Sequence, residues 1–158
     1  MMSLSLWQFR RLDERKIFNA ELRANATQGI VPINELVSGL PPDLNDIQWR
    51  RVVVRGTFRP SAEVTIFNRS QDGAAGVDAA TPLDFTIDGK SFAVIVDRGF
   101  VPLATPMPKP PSGEVDVRGR IRLSQERRVG SLKDPATGVL TEVQHLDVKR
   151  LSRQTQLN

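Results

Sequence analysis

The sequence predicts an α+β protein that is mainly β: a bent antiparallel sheet or partly open barrel of five to seven strands, flanked by an N-terminal and a C-terminal helix. Three observations predict it. Phe92-Ala93-Val94-Ile95-Val96 is an unbroken apolar run with three β-branched residues, the pattern of a strand covered on both faces. The pattern Val-x-Val-Arg-Gly-x-apolar-Arg occurs twice, from Val52 and again from Val115, at an offset of 63 residues, so two strands are built alike. Glycine and proline, 11 of each, punctuate the chain between such runs.

Taken in order, the 158 residues read as a single domain. Residues 1–26 hold an N-terminal helix, from about Leu6 to Asn25, because Trp7 to Arg23 contains strong helix formers and neither Gly nor Pro. Residues 27–48, broken by Gly29, Pro32, Gly39, Pro41 and Pro42, form a loop with one helical turn at Ile33 to Val37. Residues 49–125 are the β core. Alternation places Val52, Val54, Gly56 and Phe58 on one face of the first repeat, with Arg51, Arg55 and Arg59 on the other. In the second repeat Val115, Val117, Gly119 and Ile121 face inward, and Arg118, Arg120 and Arg122 outward. A glycine on each inward face suits a bent wall. Further strands span Glu63 to Arg69 and Val77 to Ile87, and Ile87-Asp88-Gly89-Lys90 reads as a two-residue hairpin.

The run from Phe92 to Pro102 is the expected central strand. It breaks at Asp97-Arg98-Gly99, which reads either as a β-bulge or strand exit with a local ion pair, or as a ligand site, the first being favoured. Residues 103–113, with Pro106, Pro108, Pro110 and Pro111, form a stiff extended connection. Residues 126–158 complete the chain as a loop and a short helix, Leu146 to Gln154.

Composition narrows function. The chain has no cysteine, one histidine and three methionines, too few ligands for a copper or zinc centre. His145 is the sole imidazole base and nothing resembles a nucleophile elbow, so the inventory argues against an enzyme. Gly89-Lys90-Ser91 imitates the end of a phosphate-binding loop, but Asp84 stands where the upstream glycine is required. A net charge of +4 on a basic sheet is the outline of a single-strand nucleic-acid binder. Aromatic content is only 6%, however, and core packing accounts for Trp49, Phe58 and Phe92, so nucleic-acid binding is a minor alternative. No apolar run is long enough to cross a bilayer and no signal peptide opens the chain, which predicts solubility.

Several strings in register carry a resemblance. They are Trp7-Gln8-x-x-Arg11; Trp49-Arg50-Arg51-Val52-x-Val54-x-Gly56-x-Phe58; Asn68-Arg69 with Gly73, Gly76 and Thr81-Pro82-Leu83; Val96-Asp97-Arg98-Gly99-Phe100-Val101-Pro102; Gly113-x-Val115-x-Val117-x-Gly119-x-x-Arg122; and Leu146 to Leu151. Their order resembles the surfeit locus protein one family, assembly factors of haem-copper (cytochrome c) oxidase. Two regions depart from it. Asp97 and Phe100 stand where the family usually has Asn and Trp, and Val77 replaces a common Tyr; the first change removes an amide and an indole donor.

The resemblance implies a non-enzymatic assembly or chaperone module at the cell or inner mitochondrial membrane. It would face the extracytoplasmic side, tethered through flanking spans absent from these residues. Its partners would be an oxidase subunit or other assembly factors, and no nucleic acid. It implies no cofactor within this segment and haem a handling by the full-length family member. A haem-binding protein proper is the competing reading. Arg69 and Arg98 are the candidates for partner or propionate contact, with His145 the remaining candidate ligand. The alternative for both arginines is that they only pin the sheet, through Asp97 and backbone carbonyls.

Overall fold

The computed structural model describes residues 19–20, 22–39, 43–125, 134 and 138–155. In chain order they form α1 (helical at 19–20 and 22–27), β1 (Val31–Pro32), α2 (Ile33–Ser38), β2 (Arg51–Phe58) and β3 (Val64–Gln71). β4 (Ala74–Ile87), β5 (Lys90–Pro102), β6 (Glu114–Arg120), β7 (Glu142–Val143) and α3 (Val148–Thr155) follow. The expected N-terminal helix is thus met at its C-terminal part; Trp7, Gln8 and Arg11 lie outside the described residues. No described helix is long and apolar enough to cross a membrane.

The seven strands make one open sheet in the order β1-β2-β4-β3-β7, with β5 bonded to β4 and β6 to β2. It is mixed rather than wholly antiparallel, because β1 joins β2 and β7 joins β3 through parallel pairings two residues long. The central strand is β4, not the expected Phe92–Pro102 run, since β4 alone pairs with β2, β3 and β5. The physical reason is side-chain size. Ala79, Ala80, Thr81, Pro82 and Leu83 are all buried, and small residues let neighbours approach β4 from both faces. Phe92 to Val96 are only half-buried, and among the described residues β5 is bonded on one side.

Two hairpins set the register. Asp88 and Gly89 turn β4 into β5 at positive φ, 49° and 77°, as the Asp-Gly dipeptide predicts. Asp72 and Gly73, at 50° and 80°, turn β3 into β4 by the same device.

The chain divides into two compact units, residues 1–54 with 118–123, and residues 55–117 with 124–158. In the first, Asn25 Nδ2 donates to the carbonyls of Asp46 and Gln48, tying α1 to the loop before β2. Trp49, at φ 68°, donates its N–H to Ile121 O while Ile121 N–H returns to Arg50 O. Two residues therefore oppose one, a bulge at the entrance to β2. In the second unit Val64, Ile66, Ala80, Leu140, Val143 and Leu151 form the core cluster, with Ile95 and Leu146 against it. α3 is capped by Asp147, whose Oδ1 accepts from Arg150 N.

The expected inward glycines divide. A Cβ on Gly56 would run into the backbone carbonyl of Asp84 on β4, so this strand crossing needs glycine. A Cβ on Gly119 meets nothing within 4 Å, and the repeat's second glycine carries no such demand.

Candidate functional site

Two bulges bracket the middle of β4. On β3, Ile66 faces Asp78 and Arg69 faces Gly76, so Phe67 and Asn68 together oppose Val77, with Asn68 at φ 57°. On β5, Asp97 faces Ala80 and Phe100 faces Asp78, so Arg98 and Gly99 together oppose Ala79, with Gly99 at φ 101°. Bulges re-aim side chains, and each of these carries or adjoins an arginine. The sequence reading of Asp97-Arg98-Gly99 as a bulge is met. Asp97 Oδ1 accepts the Gly99 N–H at 3.0 Å, which holds the left-handed residue in place.

Arg98 does not pair with Asp97, the partner expected from their adjacency. Alternation sends the two side chains to opposite faces of the sheet. Arg98 Nη2 lies 2.6 Å from Glu63 Oε2, and its Nε donates to Thr81 Oγ1 at 2.9 Å. Thr81, fully buried, donates in turn to the same Glu63 oxygen at 2.6 Å. Nη2 also donates to Pro108 O at 2.9 Å, which fastens the proline-rich connection to the sheet. The Arg98 and Glu63 side chains are 14% and 18% exposed, so this charge pair is largely withdrawn from water.

Arg69 occupies the other face. Its Nε lies 2.7 Å from Asp78 Oδ2, and the Asp78 side chain is 17% exposed. Burial, then the nearby negative charge of Asp97, pushes the Asp78 carboxyl above its ordinary value; the Arg69 guanidinium opposes them without cancelling them. Gly76 lies between these groups and the hairpin, and a Cβ there would strike the Phe100 ring and the Val101 carbonyl. Phe100 thus rests on a bare stretch of β4.

The structure therefore brings Arg69, Gly76, Asp97, Arg98 and Gly99 around β4, at positions 76–81. Pro82 is buried in the same strand, its carbonyl accepting Arg59 N–H. Pro102 ends β5 opposite Gly76. Arg51 is on β2, Gly119 on β6 and His145 before α3, each away from that cluster in sequence and strand. Sequence reasoning assigned no role to Glu63, Thr81 or Asp78, although Thr81 stands in one of the motif strings. Glu63 is the one acidic residue between Arg59 and Asp72, immediately before the alternating Val64-x-Ile66, and that phase was its available signal.

As chemistry, the arrangement fixes charges rather than presenting them. The described residues contain no group of three His, Cys, Asp or Glu able to hold a metal. Haem fits them poorly as well. Arg69 and Arg98 point to opposite faces and each holds a carboxylate, and His145 Nε2 is enclosed, with no hydrogen-bond partner.

A family model described as the SURF1 family matches residues 1–158. The chain belongs to the SURF1 family. An uncharacterised SURF1-like protein of Mycobacterium tuberculosis is 29% identical over 137 residues, covering 84% of this chain and 49% of that protein. A SURF1-like protein of Rickettsia felis is 30% identical over 102 residues, 63% of this chain and 41% of its own length. Surfeit locus protein 1 of Homo sapiens is 28% identical over 145 residues, covering 79% and 46% respectively. The chain thus spans about half the length of the SURF1 relatives it matches. The resemblance drawn from the motif strings is therefore shown at the level of the family, and among those strings Asp97-Arg98-Gly99 is the bulge that aims Arg98 at Glu63.

Proposed function

We propose that this chain is a non-enzymatic assembly module for haem-copper (cytochrome c) oxidase. It works by presenting a rigid β surface to an oxidase subunit or another assembly factor, at the extracytoplasmic side of the membrane. The observation that carries the reading is the Arg98–Glu63–Thr81 cluster. The string Asp97-Arg98-Gly99 is used to lock one strand bulge and the proline-rich connection into a fixed shape, which is what a docking platform requires.

The test is genetic and spectroscopic. In the source organism, loss of the gene lowers assembled oxidase in membranes, read from the haem a absorbance and from oxygen consumption per membrane protein. Re-expression restores both. Unchanged absorbance and respiration after deletion overturn the proposal.

A further inference from the structure

The arginines that make no ion pair with a described carboxylate lie elsewhere. Arg51 is on the outer side of β2, whose Val52 and Val54 are buried. Arg118 and Arg120 are exposed on β6, and Arg122 follows just past it. With Arg50, these are five arginines within 49–54 and 118–123, a segment pair that contains no acidic residue. The Arg55–Glu114 ion pair, at 2.7 Å, shows that even-numbered residues of β6 share the outer face of β2. Arg50, Arg51, Arg118 and Arg120 make no ion pair with a described carboxylate.

We infer that Arg51, Arg118 and Arg120 form a docking face for an extended acidic polypeptide segment of a protein partner. The inference deepens the proposed function and rests on it. Alternate residues of a strand stand ~6.6–6.8 Å apart, so the guanidinium groups at 118 and 120 stand at the spacing of alternate carboxylates in an extended chain. Each guanidinium can take a carboxylate in two-point fashion. Among the described residues β6 is bonded to β2 alone, which leaves its other edge to pair with an added strand.

Two other acidic occupants fit less well. Single-stranded nucleic acid needs aromatic platforms between the basic groups. The Trp49 ring is instead capped by the Arg122 guanidinium, 4.4 Å from its centroid. A lipid surface favours apolar side chains interleaved with the basic ones on the contacting face. Here Val117 and Ile121 alternate away from the arginines and are half-buried.

The test uses the full chain and a synthetic peptide of alternating glutamate and threonine, titrated by fluorescence anisotropy. Separate arms contain a lysine–threonine peptide, phosphatidylglycerol vesicles and an oligothymidine. The glutamate peptide binds, and binding weakens with salt across the range where screening shortens to ~8 Å. Arg118→Glu with Arg120→Glu weakens it by roughly tenfold or more, while the melting temperature holds; Arg118→Lys with Arg120→Lys retains part of it. Equal binding by the charge-reversed chain overturns the inference, as does binding of vesicles or oligothymidine without the peptide. If the charge-reversed chain restores oxidase assembly in full, the docking face is wrong and the proposed function stands. If the wild-type chain restores nothing, it is the proposed function that fails.

Discussion

Replacing Arg98 by Ala removes one half of a charge pair whose members are 14% and 18% exposed, and leaves the Glu63 carboxylate without its cation in a largely dry site. Breaking such a pair from one side costs ~3–5 kcal/mol, because the remaining charge is stranded rather than because the pair was strong. For a chain of this size each kcal/mol lowers the melting temperature by about 2–4 °C, so the fall is roughly 6–20 °C. Thermal unfolding followed by circular dichroism reads it. Removing both charges together is a different perturbation. Arg98→Met with Glu63→Leu deletes the stranded charge and leaves only the Thr81 hydroxyl, fully buried, without its acceptor, a cost of ~1–3 kcal/mol. Adding Thr81→Val then recovers much of that loss. A fall below about 2 °C for Arg98→Ala, or a double variant less stable than the single, refutes the assignment of Arg98 as a buried structural cation.

Other outcomes follow from the same geometry. Gly56→Ala forces a Cβ into the Asp84 carbonyl and destabilises by ~1–3 kcal/mol, whereas Gly119→Ala stays within about 0.5 kcal/mol of wild type; chemical denaturation compares the two, and equal effects defeat the distinction. Leu151→Ala, at 2% exposure in the core cluster, costs ~2–5 kcal/mol and frees α3, read as earlier amide exchange in that helix. Asp78 gives a pH signature. Its carboxyl is raised in the folded protein, so folding favours the protonated form. Its ionisation penalty is therefore full at neutral pH and lost as pH falls from the raised value through the ordinary carboxylate range. Wild type gains on Asp78→Asn through that acid window in urea midpoint; a constant difference between them contradicts the shift.

How much of this was legible in the residues depends on the range of the interaction. The β2 and β6 repeats, the Asp88-Gly89 hairpin, the α2 turn and the Asp97-Arg98-Gly99 bulge are set by local alternation and turn chemistry, and all were readable. Asp72-Gly73 carries the same dipeptide as Asp88-Gly89, yet the polar Asn68 to Gln71 before it hides how far β3 runs, so the strand is read only to Arg69. β4 was misjudged because small side chains and Pro82 depress strand propensity, while burial on two faces is a tertiary effect. β7 is two residues long and exists only through its pairing with β3. The partner of Arg98 lies 35 residues back, and only the phase of Glu63 against Val64 pointed to it. Adjacent Asp97 was the nearer choice in sequence and the wrong one in space.

These features separate two uses of arginine in one chain. Arg69 and Arg98 sit beside bulges on opposite faces of β4, and each is neutralised by a carboxylate in reach of 2.7 Å or less. A charge already matched to a neighbouring carboxylate has little left to offer a partner, since a newcomer must first displace the existing pair. Among the described residues Arg118 and Arg120 have no such match and are exposed on a strand bonded on one side, where a complementary charge costs little desolvation to meet them. Recognition is therefore expected from the second group and shape from the first. Charge reversal at Arg118 and Arg120 should change partner binding without changing the fold, and truncation at Arg98 should change the fold before anything else.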